Sequence, residues 1–177
     1  AIDLGADLAG EIGNTTFSLA PSYTMGANKF TLAYQQVRGD TPYDYVGGDS
    51  IFLAGASQIN DFNNAGEKTY KAIYNLDMAS FGTPGLTFMA SYGVGTGMDN
   101  THDNGGVYTT QQGDTHGGKE WEQNFEAMYV LQEGVAKDLS FRLRESVYRA
   151  NSAGNNGTGG DDANELRLIV EYPLSIR

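Results

Sequence analysis

Connections of alternating length are what most restrict the folds open to this chain. Strand-like stretches at roughly 13–24, 28–38, 67–79, 86–94, 120–132, 139–149 and 165–176 are joined by short turns at 25–28, 80–85 and 133–138 and by long loops at 39–66, 95–119 and 150–164. Short and long connections follow one another strictly, so every turn falls at one end of the strands and every loop at the other. That predicts an all-β, antiparallel, up-and-down meander. Residues 1–6 read as the end of one more strand, and no segment has helical periodicity.

Within each stretch, apolar and polar residues alternate. Phe141, Leu143 and Val147 share one parity of "LSFRLRESVYRA", and Arg142, Arg144 and Ser146 share the other. Phe30, Leu32 and Tyr34 oppose Lys29, Thr31 and Gln35, and Leu86, Phe88, Ala90 and Tyr92 oppose Thr87, Met89 and Ser91. A soluble antiparallel sandwich also alternates. Strands of about ten residues with aromatic ends and one-sided long loops fit a transmembrane barrel better, with the apolar parity toward lipid and the polar parity toward an aqueous lumen. On this reading Arg142 and Arg144 face the lumen.

Composition narrows the function classes. The net charge is −11, which speaks against nucleic acid as a partner, because phosphate binding needs a basic surface. There is no cysteine, so disulfides and thiolate sites are excluded. His102 and His116 fall in one predicted loop without ligand spacing, and no metal or cofactor is expected. Asp161, Asp162 and Glu165 read as a solvated acidic loop ahead of a calcium site. Gly93, Gly95 and Gly97 are followed by no helix and make no nucleotide loop. Glu120, Glu122 and Glu126 suggest an acid/base pair only if a nucleophile and a defined site accompany them. The sequence reveals neither, so no enzyme is expected.

The motifs "ELRLIVEYPLSI", "AKDLSFRLRESVYRAN", "KFTLAYQQVRGDTPYDY", "GGDSIFLA", "DFNNAGEK" and "ASFGTPGLTFMASY" occur in an order that resembles the OprD-type porins of Pseudomonas and its relatives. The resemblance implies a barrel of about eighteen strands. Residues 1–177 would then form a single domain, the C-terminal portion of that barrel with about its last seven to eight strands. It implies an integral protein of the bacterial outer membrane, with long loops extracellular and short turns periplasmic. The implied partners are small carboxylate-bearing solutes, outer-membrane lipid and lipopolysaccharide. Relatives are isolated as monomers or loose trimers.

The implied function is substrate-selective passive uptake of small carboxylate-bearing nutrients: amino acids, basic ones favoured, or small peptides. A channel for aromatic or other cyclic carboxylates is the alternative, and a non-channel barrel (adhesin or enzyme) stands further off. Such porins carry a ladder of basic residues on one lumen wall, and Arg142, Arg144 and Arg167 carry over to it. Fixed guanidinium groups in a row give a carboxylate successive similar sites without one deep trap. Ile73, Ser91 and Met128 stand where relatives often have basic residues, and Lys71, one inward step from Ile73, substitutes in part. The loop 39–66, apolar at "SIFLAGASQI", is expected to fold inward as a constriction. By the resemblance its acidic side is Asp49, Ser50 and Asp61. Departures are "YDYVGGDS", where relatives usually have several more residues before the Gly-Gly, so that either the loop is short or residues are omitted near Val46 and Gly47, and a terminal Arg177 where relatives end in an apolar residue.

Overall fold

The computed structural model describes residues 13–43, 52–99, 101, 116–151 and 162–173. They form one antiparallel sheet. Its strands are β1 (Asn14–Leu19), β2 (Ser22–Met25), β3 (Asn28–Gly39), β4 (Lys68–Asp77), β5 (Leu86–Asp99), β6 (His116–Val130), β7 (Ser140–Ala150) and β8 (Ala163–Glu171). The order across the sheet is β1-β3-β4-β5-β6-β7-β8, with β2 also paired to β3. From β2 onward sequence neighbours are sheet neighbours, and β1 and β2, the two halves of one predicted strand, both pair with β3, which is the predicted meander.

Where the elements differ from expectation, the cause is local. The strand predicted over 13–24 is split by Pro21, which has no N–H to give to β3. Its carbonyl still accepts from the Leu32 N–H at 3.1 Å, and the register continues unchanged, Leu19 facing Tyr34 and Ser22 facing Thr31. The turn predicted at 80–85 begins earlier, as a 3-10 turn over Met78–Phe81 in which the Ala79 N–H donates to the Asp77 carboxylate at 2.9 Å. β5 and β6 run further toward the long-loop end than predicted. Gly93, Gly95, Gly117 and Gly118 contribute no apolar side chains there, so alternation fades while backbone pairing continues. His116, expected in a loop, opens β6. Residues 1–6 and His102 lie outside the described residues.

The two faces are sorted in the opposite sense to a soluble sandwich. Outward side chains are large, apolar and exposed: Leu32 is 66% accessible, Leu166 70% and Leu168 69%. Inward side chains are largely polar, and many are buried: Gln35, Thr69, Lys71, Ser91, Glu120, Glu122, Asn124 and Ser146. In water the first face would be a large apolar patch. In lipid it is the solvent-matched surface of a barrel wall.

Candidate functional site: a loop folded onto the inward wall

The polar residues of the inward face are buried because a segment of the chain lies on them. Residues 52–67 pack against β3, β4, β5 and β6, and wall side chains hold that segment through its backbone. Glu122 Oε1 accepts from the Gln58 N–H at 2.8 Å, and its Oε2 accepts from the Asn60 N–H at 2.9 Å. The Ile59 N–H lies 3.2 Å from each oxygen. Three successive amides thus converge on one carboxylate, a strong, charge-assisted arrangement. Gln35 grips the segment from β3: Nε2 donates to the Phe62 carbonyl at 2.8 Å, and Oε1 accepts from the Gly55 N–H at 2.8 Å. From β4, the Lys71 ammonium donates to the Ala56 carbonyl at 2.6 Å and to Ser57 Oγ at 3.2 Å. Asn124 of β6 donates to the same Ser57 Oγ at 2.8 Å.

The loop's return to β4 needs space in the wall. Phe62 is buried, with φ at 53°, and its ring lies over Gly93 and Gly95. A Cβ at Gly95 would collide with the Glu67 carboxylate and the Phe62 ring, so only glycine fits. Glu67, just before β4, accepts from the Asn64 backbone N–H at 3.0 Å and the Asn64 amide at 3.1 Å. Its Oε1 is buried with no hydrogen-bond partner among the described residues. Burial, and after it the neighbouring Glu120 carboxylate, push the Glu67 carboxyl well above the usual carboxylate range. Glu120 in turn accepts from Asn60 Nδ2 at 2.9 Å and from the Tyr148 hydroxyl.

Beside the docked segment lies the arginine cluster. Arg144 and Arg167 are direct cross-strand partners, and Arg142 is two residues along β7 on the same face. Both β7 arginines reach Glu126 of β6: Arg144 Nε donates to it at 2.7 Å, and Arg142 Nε is 3.6 Å away. Arg144 also contacts Gln58 Oε1 of the docked segment. Arg167 pairs with Glu165 on its own strand, Nη2 donating at 2.7 Å. Two guanidinium groups therefore share the one Glu126 carboxylate, and among the described residues the ion pairs of the cluster join three guanidinium groups to two carboxylates, one positive charge in excess.

The predicted residues thus fall into separate groups. Arg142, Arg144 and Arg167 come together. Lys71 is apart from them, with its ammonium engaged by the loop backbone. Asp61 sits on the docked segment; its carbonyl accepts from Gln35 Nε2 at 3.3 Å, and its carboxylate bonds to no described residue. Asp49 and Ser50 lie outside the described residues, as do Val46, Gly47 and Arg177. Within the predicted apolar centre, Leu53 and Ala54 are buried, whereas Phe52 is 80% exposed. Among the described residues no group of three or more His, Cys, Asp or Glu is arranged to hold a metal ion. The residues that fix the loop, Gln35, Glu67, Glu120 and Glu122, were not predicted as a site. Their only signal was charge or amide on the inward parity.

Comparison with known proteins agrees with this architecture. The chain is 52% identical to Porin D of Pseudomonas aeruginosa over 98% of its own length and 41% of that protein's. It is 30% identical to the porin-like protein GalP of Pseudomonas putida, covering 98% of this chain and 37% of GalP. It therefore spans about two fifths of the length of these relatives. Among solved structures, OprD of Pseudomonas aeruginosa superposes with a TM-score of 0.83 at 50% identity, over 96% of this chain and 45% of that one. OpdO of the same organism gives 0.73 at 33% identity, over 90% and 38%. With residues 1–176 matching the description "outer membrane porin, OprD family", and with a lipid-suited face outside and a loop-covered polar wall inside, the chain belongs to the OprD family of outer membrane porins and forms part of its β-barrel.

Proposed function

We propose that this chain supplies part of the lumen wall and a constriction loop of a substrate-selective channel. Small carboxylate-bearing nutrients would pass through it by diffusion, amino acids above all, with basic ones favoured. The long loops are extracellular and the short turns periplasmic. The observation that carries the reading is the meeting of docked loop and arginine cluster, where Gln58 of the loop contacts Arg144 of the wall. A carboxylate passing there would find a cluster with one positive charge to spare. A substrate amine would find the Asp61 carboxylate, which no described residue neutralises. Both charges act across a narrow, poorly screened space, where they are felt more strongly than at an open surface. Lys71 acts on the substrate path indirectly, by fixing the loop that narrows it. The channel carries no reaction chemistry.

Asp61→Ala should lower the uptake ratio of a basic over an acidic amino acid in proteoliposomes containing the intact channel. An unchanged ratio would remove Asp61 from the selectivity machinery.

A further inference from the structure

The outward face carries its own basic feature. Tyr34, Tyr70, Val94 and Trp121 are cross-strand partners over β3–β6 and form the upper aromatic edge of the apolar surface. The next outward row toward the long loops is Gln36, Lys68, Thr96 and Lys119. Arg38 stands one outward step further along β3, and Arg149 faces Trp121 from β7. Four of the 11 Lys and Arg residues thus lie in one belt just beyond the aromatic edge.

Arg38, Lys68 and Lys119 are exposed and alternate with the buried inward residues Val37, Thr69 and Glu120. None of the three forms an ion pair with a described residue. Arg149 is partly compensated by Asp162 at 3.6 Å. Asp40, just past the end of β3, is the acidic residue nearest Arg38 in sequence. The inward arginines differ, since Arg142 and Arg144 pair with Glu126 and Arg167 with Glu165. One row below Lys68 lies an apolar groove of about 470 Å³, lined by Leu19, Pro21, Leu32, Tyr70, Ala72 and Tyr92. Cations above an apolar groove match an amphiphile with an anionic head and acyl tails. A chain with net charge −11 would otherwise be repelled by an anionic leaflet.

We infer that Arg38, Lys68 and Lys119, with the groove beneath them, dock the phosphate-bearing head and an acyl chain of outer-leaflet lipopolysaccharide. The lateral spacing suits this. Lys68 and Lys119 are separated by one strand, about 10 Å across the sheet, so Thr96 and two ammonium groups face a single headgroup. The inference rests on the orientation proposed above.

The test uses the intact channel in detergent, with lipid A carrying both phosphates and its dephosphorylated form as probes, read by native mass spectrometry. The wild type should prefer the phosphorylated form. The triple variant Arg38→Ala, Lys68→Ala, Lys119→Ala should bind it roughly tenfold or more weakly, with unchanged single-channel conductance showing an intact barrel. The charge-keeping triple Arg38→Lys, Lys68→Arg, Lys119→Arg should bind like wild type. Equal binding by the alanine triple, loss of binding in the charge-keeping triple, or indifference to the phosphates would overturn the inference. Orientation is tested apart from binding, by labelling cysteine at Asn156 or Thr83 in whole cells with an impermeant reagent. Labelling at Asn156 alone supports the lipopolysaccharide leaflet. Labelling at Thr83 alone contradicts the proposed orientation and, with it, the choice of lipid.

Discussion

At the residue scale, Glu122 bears most on the lumen. Its two oxygens take three successive amides of the docked loop, and an amide side chain at that position could accept at only one oxygen and would bring no charge. Glu122→Gln should therefore weaken loop docking by roughly 1–3 kcal/mol. The expected signs are a higher single-channel conductance and more open-channel noise in planar bilayers, with the barrel still folded. Conductance and noise identical to wild type would mean that the loop is held by Gln35 and Lys71 without it. The inward parity of Glu120, Glu122 and Glu126 was legible in the sequence, but their roles were not. The amides that Glu122 receives lie 62 to 64 residues earlier in the chain, and no local pattern records such a contact. Arg142 and Arg144 were legible for the opposite reason. Their spacing alone puts them on one face, although Glu126, the partner that partly neutralises them, was weighed in the sequence only as one of three carboxylates for acid/base work.

At the element scale, each strand is a boundary between two solvents. β7 shows it most simply: Phe141 and Leu143 are 42% and 49% exposed on the outward side, while Arg142 and Arg144 point the other way. Reversing that choice should be costly. Phe141→Arg or Leu143→Arg would put a guanidinium on the lipid face at roughly 2–4 kcal/mol near the midplane. Each should reduce the heat-modifiable folded band after reconstitution, whereas Arg142→Ala should not. Normal folding of both arginine variants would mean that this face does not meet lipid. Alternation made the existence and order of the strands readable. Their limits were less so wherever the signal lay in backbone pairing. Pro21 interrupts a strand without shifting its register, and the glycines of β5 and β6 prolong strands that carry little apolar pattern.

At the scale of the whole molecule, the inverted sorting of side chains joins fold to function. Gln35, Lys71, Glu120, Glu122 and Asn124 can be buried on the inward wall because a loop from the same chain supplies hydrogen-bond partners to them, and apolar groups can be exposed outside because lipid is the solvent there. The alternation of short and long connections made the meander and its two ends readable from the start. The docked state of residues 52–67 could only be expected from a short apolar run and a family likeness, since it depends on contacts across four strands. The arginine cluster beside that loop is expected to shape the passage of anions. The direct measurement is the reversal potential of the intact channel in a salt gradient, for wild type and for the double variant Arg142→Ala, Arg144→Ala, together with carboxylate uptake in proteoliposomes. A shift toward cation preference with slower carboxylate uptake is the predicted result; an unchanged reversal potential and unchanged uptake in a correctly folded double variant would contradict it.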